Sequence, residues 1–167
     1  MEEAFEKHQG VIEVISGYAG GKIENPDYKT VSSGNSGHIE SVKVIYNPYR
    51  TDYKELLTVF WRNVDPHDDK GQFCDRGPQY ISAIFADTPE RRILAQKSKT
   101  ALSAHPKIQK NIVTQIKDPH PFYPAEKFHQ DYYKLKPVRY SFYIGLCGRE
   151  SRLKEVWQGI DITNMQF

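Results

Sequence analysis

The chain has 167 residues, with 23 lysines and arginines against 21 aspartates and glutamates, for a formal net charge of +2. That balance argues against a nucleic-acid or membrane surface built on charge, and no apolar run is long enough to span a bilayer. Two cysteines, Cys74 and Cys147, are too few for a disulfide-built secreted scaffold, and no secretory signal pattern follows Met1, so one cytoplasmic domain with a real hydrophobic core is expected.

Residues 2–9 read as a helix that begins abruptly, with no N-cap residue before it. Gly10 breaks it. Residues 11–16 then read as a strand, with Ile12 and Val14 on one face and Val11 and Ile15 on the other. Gly17-Tyr18-Ala19-Gly20-Gly21 reads as a glycine-rich bend without the spacing of a phosphate-binding loop. Asn25-Pro26-Asp27-Tyr28 reads as a turn that opens a short helix and leaves Tyr28 on a loop, either as a packing lid or as a functional phenol.

Residues 32–48 form a tight Ser/Gly/Asn loop that enters a β-branched run. A strand's period of two puts Glu40 on the face of Val42, Val44 and Tyr46, while Ser41 and Lys43 point the other way. A carboxyl at the mouth of an apolar face holds its proton to higher pH, the property an acid catalyst needs. The plainer alternative is a glutamate at a frayed strand end, turned to solvent.

Asp52 and Glu55 suit an Asp-led capping box, and Tyr53, Leu56, Leu57, Phe60, Trp61 and Val64 recur at helical spacing, as core residues do. Asp65-Pro66-His67-Asp68-Asp69 could suggest a metal site, but its adjacent residues lack ligand spacing, and a solvated turn is expected. After a loop over residues 71–80, residues 81–86 read as a buried strand. Thr88 caps a helix that runs to about Ala104, with Ile93, Leu94, Ala101 and Leu102 inward. Residues 110–117 read as another strand, residues 118–125 as an irregular aromatic loop, and residues 126–133 as a helix with Glu126, His129 and Tyr133 near one face. A single histidine on such a face is more often structural. Leu153, Val156 and Trp157 mark a C-terminal helix, and residues 160–167 a tail. The mixture of neighbouring strands and crossovers points to a single α+β layer fold.

Taken together, several stretches resemble the class A peptide methionine sulfoxide reductases. They are residues 16–21, 25–28, 33–40, 60–66 and 72–80, followed by Pro121-Phe122-Tyr123-Pro124-Ala125-Glu126, His129-Gln130-Asp131-Tyr132 and Cys147-Gly148-Arg149. The resemblance implies a domain over residues 1–159 with a ferredoxin-like α/β plait core and long ordered loops. It also implies reduction of methionine-(S)-sulfoxide in proteins or peptides, or of the free amino acid, to methionine. Glu40 would protonate the sulfoxide oxygen, Tyr28 and Tyr80 would hold that oxygen, and Asp75 and His129 would bind the substrate. No bound cofactor or metal is implied; thioredoxin or another dithiol is expected as the reductant, and a monomer that uses neither nucleic acid nor membrane is expected.

One departure stands out. The family's nucleophile lies in a Gly-Cys-Phe-Trp motif, and Met1-Glu2-Glu3-Ala4-Phe5 matches the residues just after it. The nucleophilic cysteine and the leading strand are therefore expected upstream of Met1, and the chain as it stands is expected to be inactive. Cys147 is the candidate resolving thiol. Cys74 is either an accessory thiol or a buried inert one. Two rivals are a non-catalytic methionine-sulfoxide binder and, more remotely, an aromatic-faced plait that stacks on single-stranded RNA.

Overall fold

The computed structural model describes residues 1–165 and residue 167. After the short helix α1 (Glu2–Glu6), β1 (Val11–Ala19) runs through the middle of a three-stranded antiparallel sheet. β2 (Ile39–Tyr46) and β7 (Phe122–Pro124) flank it. The strand does not stop at residue 16, and the expected bend at residues 17–19 is extended instead. Gly17 is the reason: a Cβ there would lie 2.3 Å from the Tyr123 carbonyl oxygen and 2.4 Å from the Phe122 ring. The missing side chain lets β7 close on β1, and the turn begins only at Gly20, where φ is +94°. The aromatic stretch expected to be an irregular loop thus supplies an edge strand.

The helix α2 (Tyr28–Ser32) opens at Asp27, whose carboxylate accepts from the Thr30 N–H at 2.8 Å. Tyr28 is therefore the first residue of a helix, not part of a loop. The helix α3 (Tyr53–Arg62) matches its periodicity, and Asp52 accepts from the Glu55 N–H at 2.9 Å. The box is not closed reciprocally, because the Glu55 carboxylate accepts from Thr51 Oγ1 at 2.7 Å. Leu56 and Leu57 lie about 100° apart on α3 and serve different cores. Leu56 packs with Phe5 and Val14, while Leu57 and Trp61 pack with Val64, Ile84, Ala95, Leu102, Ile112, Ile160 and Ile162. Trp61 Nε1 donates to Ser98 Oγ at 3.0 Å, so the fully buried indole has its polar partner.

A small hairpin follows, β3 (Gly71–Gln72) with β4 (Asp75–Arg76), and a single 3₁₀ turn, Pro78–Tyr80. The parallel pair β5 (Ala83–Phe85) and β6 (Gln115–Lys117) is joined by a crossover through α4 (Pro89–Ser103). Thr88 and Pro89 open α4 as expected, but its buried face is Ala95, Ser98 and Leu102, and Ile93 is exposed. β6 is shorter than residues 110–117, because the backbone there leaves the pair: Val113 N–H donates to Pro66 O, and Ile112 turns into the core.

The Asp65–Asp69 stretch is not the solvated turn expected. Asp65 is buried, and its carboxylate pairs with Arg152 Nε at 2.7 Å. The expected helix over residues 126–133 is also broken. It is a 3₁₀ turn, Lys127–His129, and then α5 (Tyr132–Leu135), because Asp131 takes a left-handed φ of +53°. Gln130 uses its side chain there to bond both the N–H and the C=O of Ser16.

Two further helices, α6 (Pro137–Leu146) and α7 (Arg149–Val156), complete a C-terminal arm. Cys147 is the C-cap of α6. Of the expected tail 160–167, Ile160 and Ile162 enter the core, and residue 166 lies outside the described residues. The architecture is α+β.

Candidate functional site

The central sheet puts three side chains in one row. Tyr18 of β1 stands opposite Glu40 of β2 and Tyr123 of β7. Residues directly opposite each other point to the same side of a sheet, so Glu40 shares a face with Tyr18. The same face runs down β2 through Val42, Val44 and Tyr46, which pack on the Phe5–Val14–Leu56 core. The alternation expected from sequence therefore holds in the structure. Glu40 is nonetheless open to solvent along its side chain. Protein packed around its carboxyl, and next the Asp75 charge, push its pKa up to about 7.

Phenols gather around that acid. The 3₁₀ turn brings up Tyr80, whose hydroxyl is pushed above its ordinary pKa by burial and then by the Glu40 charge, with smaller effects from Tyr28 and Asp75. Tyr18 is shifted the same way by burial and by Glu126, to whose carboxylate its hydroxyl donates at 2.9 Å. Glu126 also receives the Tyr28 N–H at 2.7 Å, tying the start of α2 to the loop after β7. Burial acts against the Glu126 charge, yet the Tyr28 N–H and the Tyr18 hydroxyl hold its carboxyl below the ordinary range.

His129 stacks obliquely between Tyr28, at 4.7 Å between ring centroids, and Phe128, at 4.3 Å. Its Nε2 is buried with no hydrogen-bond partner within the protein, and burial lowers its pKa. An imidazole nitrogen left unpaired in this way is available to a ligand. His38 is fully engaged instead: Nε2 donates to Ile23 O at 2.8 Å and Nδ1 accepts from Gly21 N–H. It fastens the glycine turn to the start of β2.

The structure thus brings Glu40, Tyr28, Tyr80 and Asp75 together, with His129 joined through Tyr28. Cys74 and Cys147 stand beside them as one disulfide, with 5.2 Å between their Cα atoms. Cys74 lies at the tip of the β3–β4 hairpin and is exposed, so it is not a buried inert thiol. Sequence reasoning left three neighbours unassigned. Tyr18 was hidden inside an apparent glycine bend, and Glu126 was placed on a helix that does not form. Tyr143 of α6, whose hydroxyl donates to Asp75, signalled itself only by standing four residues before Cys147.

A carboxyl that keeps its proton near neutral pH, ringed by phenols, is a set of hydrogen-bond donors for an oxygen that gains negative charge. A separate groove of about 1060 Å³, lined by residues such as Lys54, Ile93, Lys97 and Phe167, brings together no such group.

Fold and site therefore define an α+β protein with an acid-and-phenol cluster beside a cysteine pair. Comparison with known proteins gives the family. A family model described as peptide methionine sulfoxide reductase matches residues 1–160. The peptide methionine sulfoxide reductase MsrA of Ligilactobacillus salivarius is 46% identical over 157 residues, covering 94% of this chain and 91% of that protein. MsrA 2 of Caulobacter vibrioides is 47% identical over 159 residues, covering 95% of this chain and 80% of that one. Among solved structures, methionine sulfoxide reductase A of Corynebacterium diphtheriae superposes with a TM-score of 0.71 at 30% identity, over 82% of this chain and 69% of that one. The chain belongs to the peptide methionine sulfoxide reductase family.

Proposed function

We propose that the chain serves the thiol-dependent reduction of methionine-(S)-sulfoxide in oxidised proteins or peptides. The observation that carries this reading is the Glu40 carboxyl, opposite Tyr18 across the sheet and near Tyr80 and Asp75, with its pKa pushed up toward neutral, in a chain of this family. Glu40 donates its proton to the sulfoxide oxygen, and Tyr28 and Tyr80 hold that oxygen as charge builds on it. Asp75 and His129 receive the polar groups around the oxidised residue. A cysteine thiolate attacks the sulfur. The S–O bond breaks, methionine leaves, and the oxygen stays on the enzyme as a sulfenic acid. A second thiol, with Cys147 the candidate, condenses with it and releases water. An external dithiol such as thioredoxin then reduces the resulting disulfide.

The antiparallel sheet and the β5–α4–β6 crossover support a core related to the ferredoxin-like plait, and a cytoplasmic monomer without bound cofactor completes the proposal. No helix among the described residues is long and apolar enough to cross a membrane.

One observation favours a second reading: both cysteines of the chain lie in a single disulfide. The chain by itself would then bind methionine sulfoxide without turning it over. One experiment separates the two. The chain, alone and joined at Met1 to a segment bearing Gly-Cys-Phe-Trp, is given each epimer of an N-acetylated methionine sulfoxide peptide with dithiothreitol. The reductase reading expects binding without product from the chain alone, and reduction of the S epimer only once the segment is joined. Glu40→Gln in the joined protein should lower turnover about 100-fold with little change in KM. An idle joined protein would remove the reductase reading, and a near-normal Glu40→Gln rate would remove Glu40 from the mechanism.

A further inference from the structure

The C-terminal arm meets the site through two adjacent rungs. Cys147 joins Cys74, and one turn earlier on the same helical face the Tyr143 hydroxyl donates to Oδ1 of Asp75, the residue next to Cys74. The Tyr143 phenol is raised above its ordinary pKa by burial and then by that hydrogen bond, with further effects from Tyr80 and Glu40, so its hydroxyl sits among the groups of the candidate site. The residue as a whole is 44% exposed.

Little apolar packing holds this helix. None of α5, α6 and α7 has a buried residue, and Val138, Phe142 and Leu146 of α6 are exposed. Polar tethers secure the two ends of the arm. Lys134 pairs with Glu6 at 2.6 Å, the Tyr140 hydroxyl donates to Glu3 at 2.9 Å, and Arg152 pairs with the buried Asp65. Between those ends, the last turn of α6 and Cys147 reach the hairpin through the disulfide and the Tyr143–Asp75 bond, and Arg149, the first residue of α7, donates to Asn63 O at 3.0 Å and lies over the Phe73 ring at 5.1 Å. Cutting the disulfide removes the covalent tie of that turn to the hairpin, while both ends keep their polar tethers.

We propose that Tyr143 is a redox-held plug of this site: with Cys74 and Cys147 joined it occupies Asp75, and reduction of the pair withdraws it. In the reduction, an external dithiol gives two electrons and two protons. The Sγ–Sγ bond breaks, two thiols form, and the reagent closes to its own disulfide. The consequence for ligand rests on the substrate-binding role proposed for Asp75. The oxidised arm fills the acceptor that a sulfoxide peptide would use, so peptide binds more weakly until the pair is reduced.

The protein, with its tyrosines carbon-labelled at Cζ and the Tyr143 signal assigned from Tyr143→Phe, is titrated by NMR with the cysteine pair oxidised and then reduced. Tyr143 should lose its raised pKa on reduction and in Cys74→Ser. A Tyr143 signal that titrates alike in both forms overturns the proposal, whatever the site binds. Binding of a methionine-(S)-sulfoxide peptide is then measured by calorimetry. The reduced protein, and Tyr143→Phe even when oxidised, should bind about tenfold or more tightly than the oxidised parent, as freeing an occupied hydrogen-bond acceptor implies. Equal affinities in the two redox forms would overturn the plug. Absence of binding in every form, with Tyr143 released on reduction, would instead remove the sulfoxide reading and leave the redox-held contact standing.

Discussion

Glu40 links the sheet to the chemistry. Its folded-state pKa of about 7 stands above the 4.5 of an ordinary glutamate. Between those values the folded protein keeps a proton that the unfolded chain has lost. Linkage then requires stability to fall as pH rises through that window, with the full cost present above it. Glu40→Gln removes the cost. The variant should melt above the parent at pH 8, and the difference should vanish below the ordinary glutamate pKa. Thermal melts across that range check this, and a difference that does not change with pH would mean the Glu40 carboxyl is not perturbed. The face on which Glu40 lies was legible from alternation with Val42 and Val44. Burial, the larger cause of its perturbation, was legible with that face; the smaller one, the Asp75 charge, was not, because Asp75 comes from a hairpin 35 residues further along the chain.

At the scale of elements, glycine spacing misled at β1, while the apolar repeat of α3 did not. Helix α3 follows from its apolar repeat and Asp52 cap, both contained within a few residues. The strand β1 overran its expected end because Gly17 serves a contact with β7, more than a hundred residues away in sequence. Gly17→Ala should therefore push β7 off β1, since the new Cβ meets the Tyr123 carbonyl oxygen at 2.3 Å. A loss of about 1–3 kcal/mol is expected in urea unfolding. Faster amide exchange should be confined to residues 17–19 and 122–125. Unchanged exchange there would mean that the sheet absorbs the methyl without losing its edge. The helix expected at residues 126–133 failed for a related reason. Gln130 satisfies the backbone of Ser16, and Asp131 pivots to let it do so.

On the scale of the whole molecule, the Cys74–Cys147 bond closes a loop with a sequence separation of 73. Chain entropy alone gives such a crosslink about 4 kcal/mol over the open chain. The Cys74→Ser/Cys147→Ser double variant should lose stability of that order in urea while keeping its folded circular dichroism, since α5 and α7 retain their own polar tethers. A loss near zero would mean that the arm is already as free in the oxidised protein as in the variant.

Periodicity, caps and turn residues act over about one helical turn or one strand pair. The amphipathic α3, the Thr88–Pro89 start of α4 and the face that Glu40 occupies were therefore readable from the chain, as was the ordered series of short motifs that marks the family. The row Tyr123–Tyr18–Glu40, the Glu126 bridge between Tyr18 and Tyr28, the burial of Asp65 against Arg152 and the Tyr143–Asp75 contact belong to another level. Each joins residues far apart in sequence, and no local pattern of side chains carries a preference for a distant partner. Strand register and the docking of the C-terminal arm select those partners, and the β3–β4 hairpin brings Asp75 to Glu40.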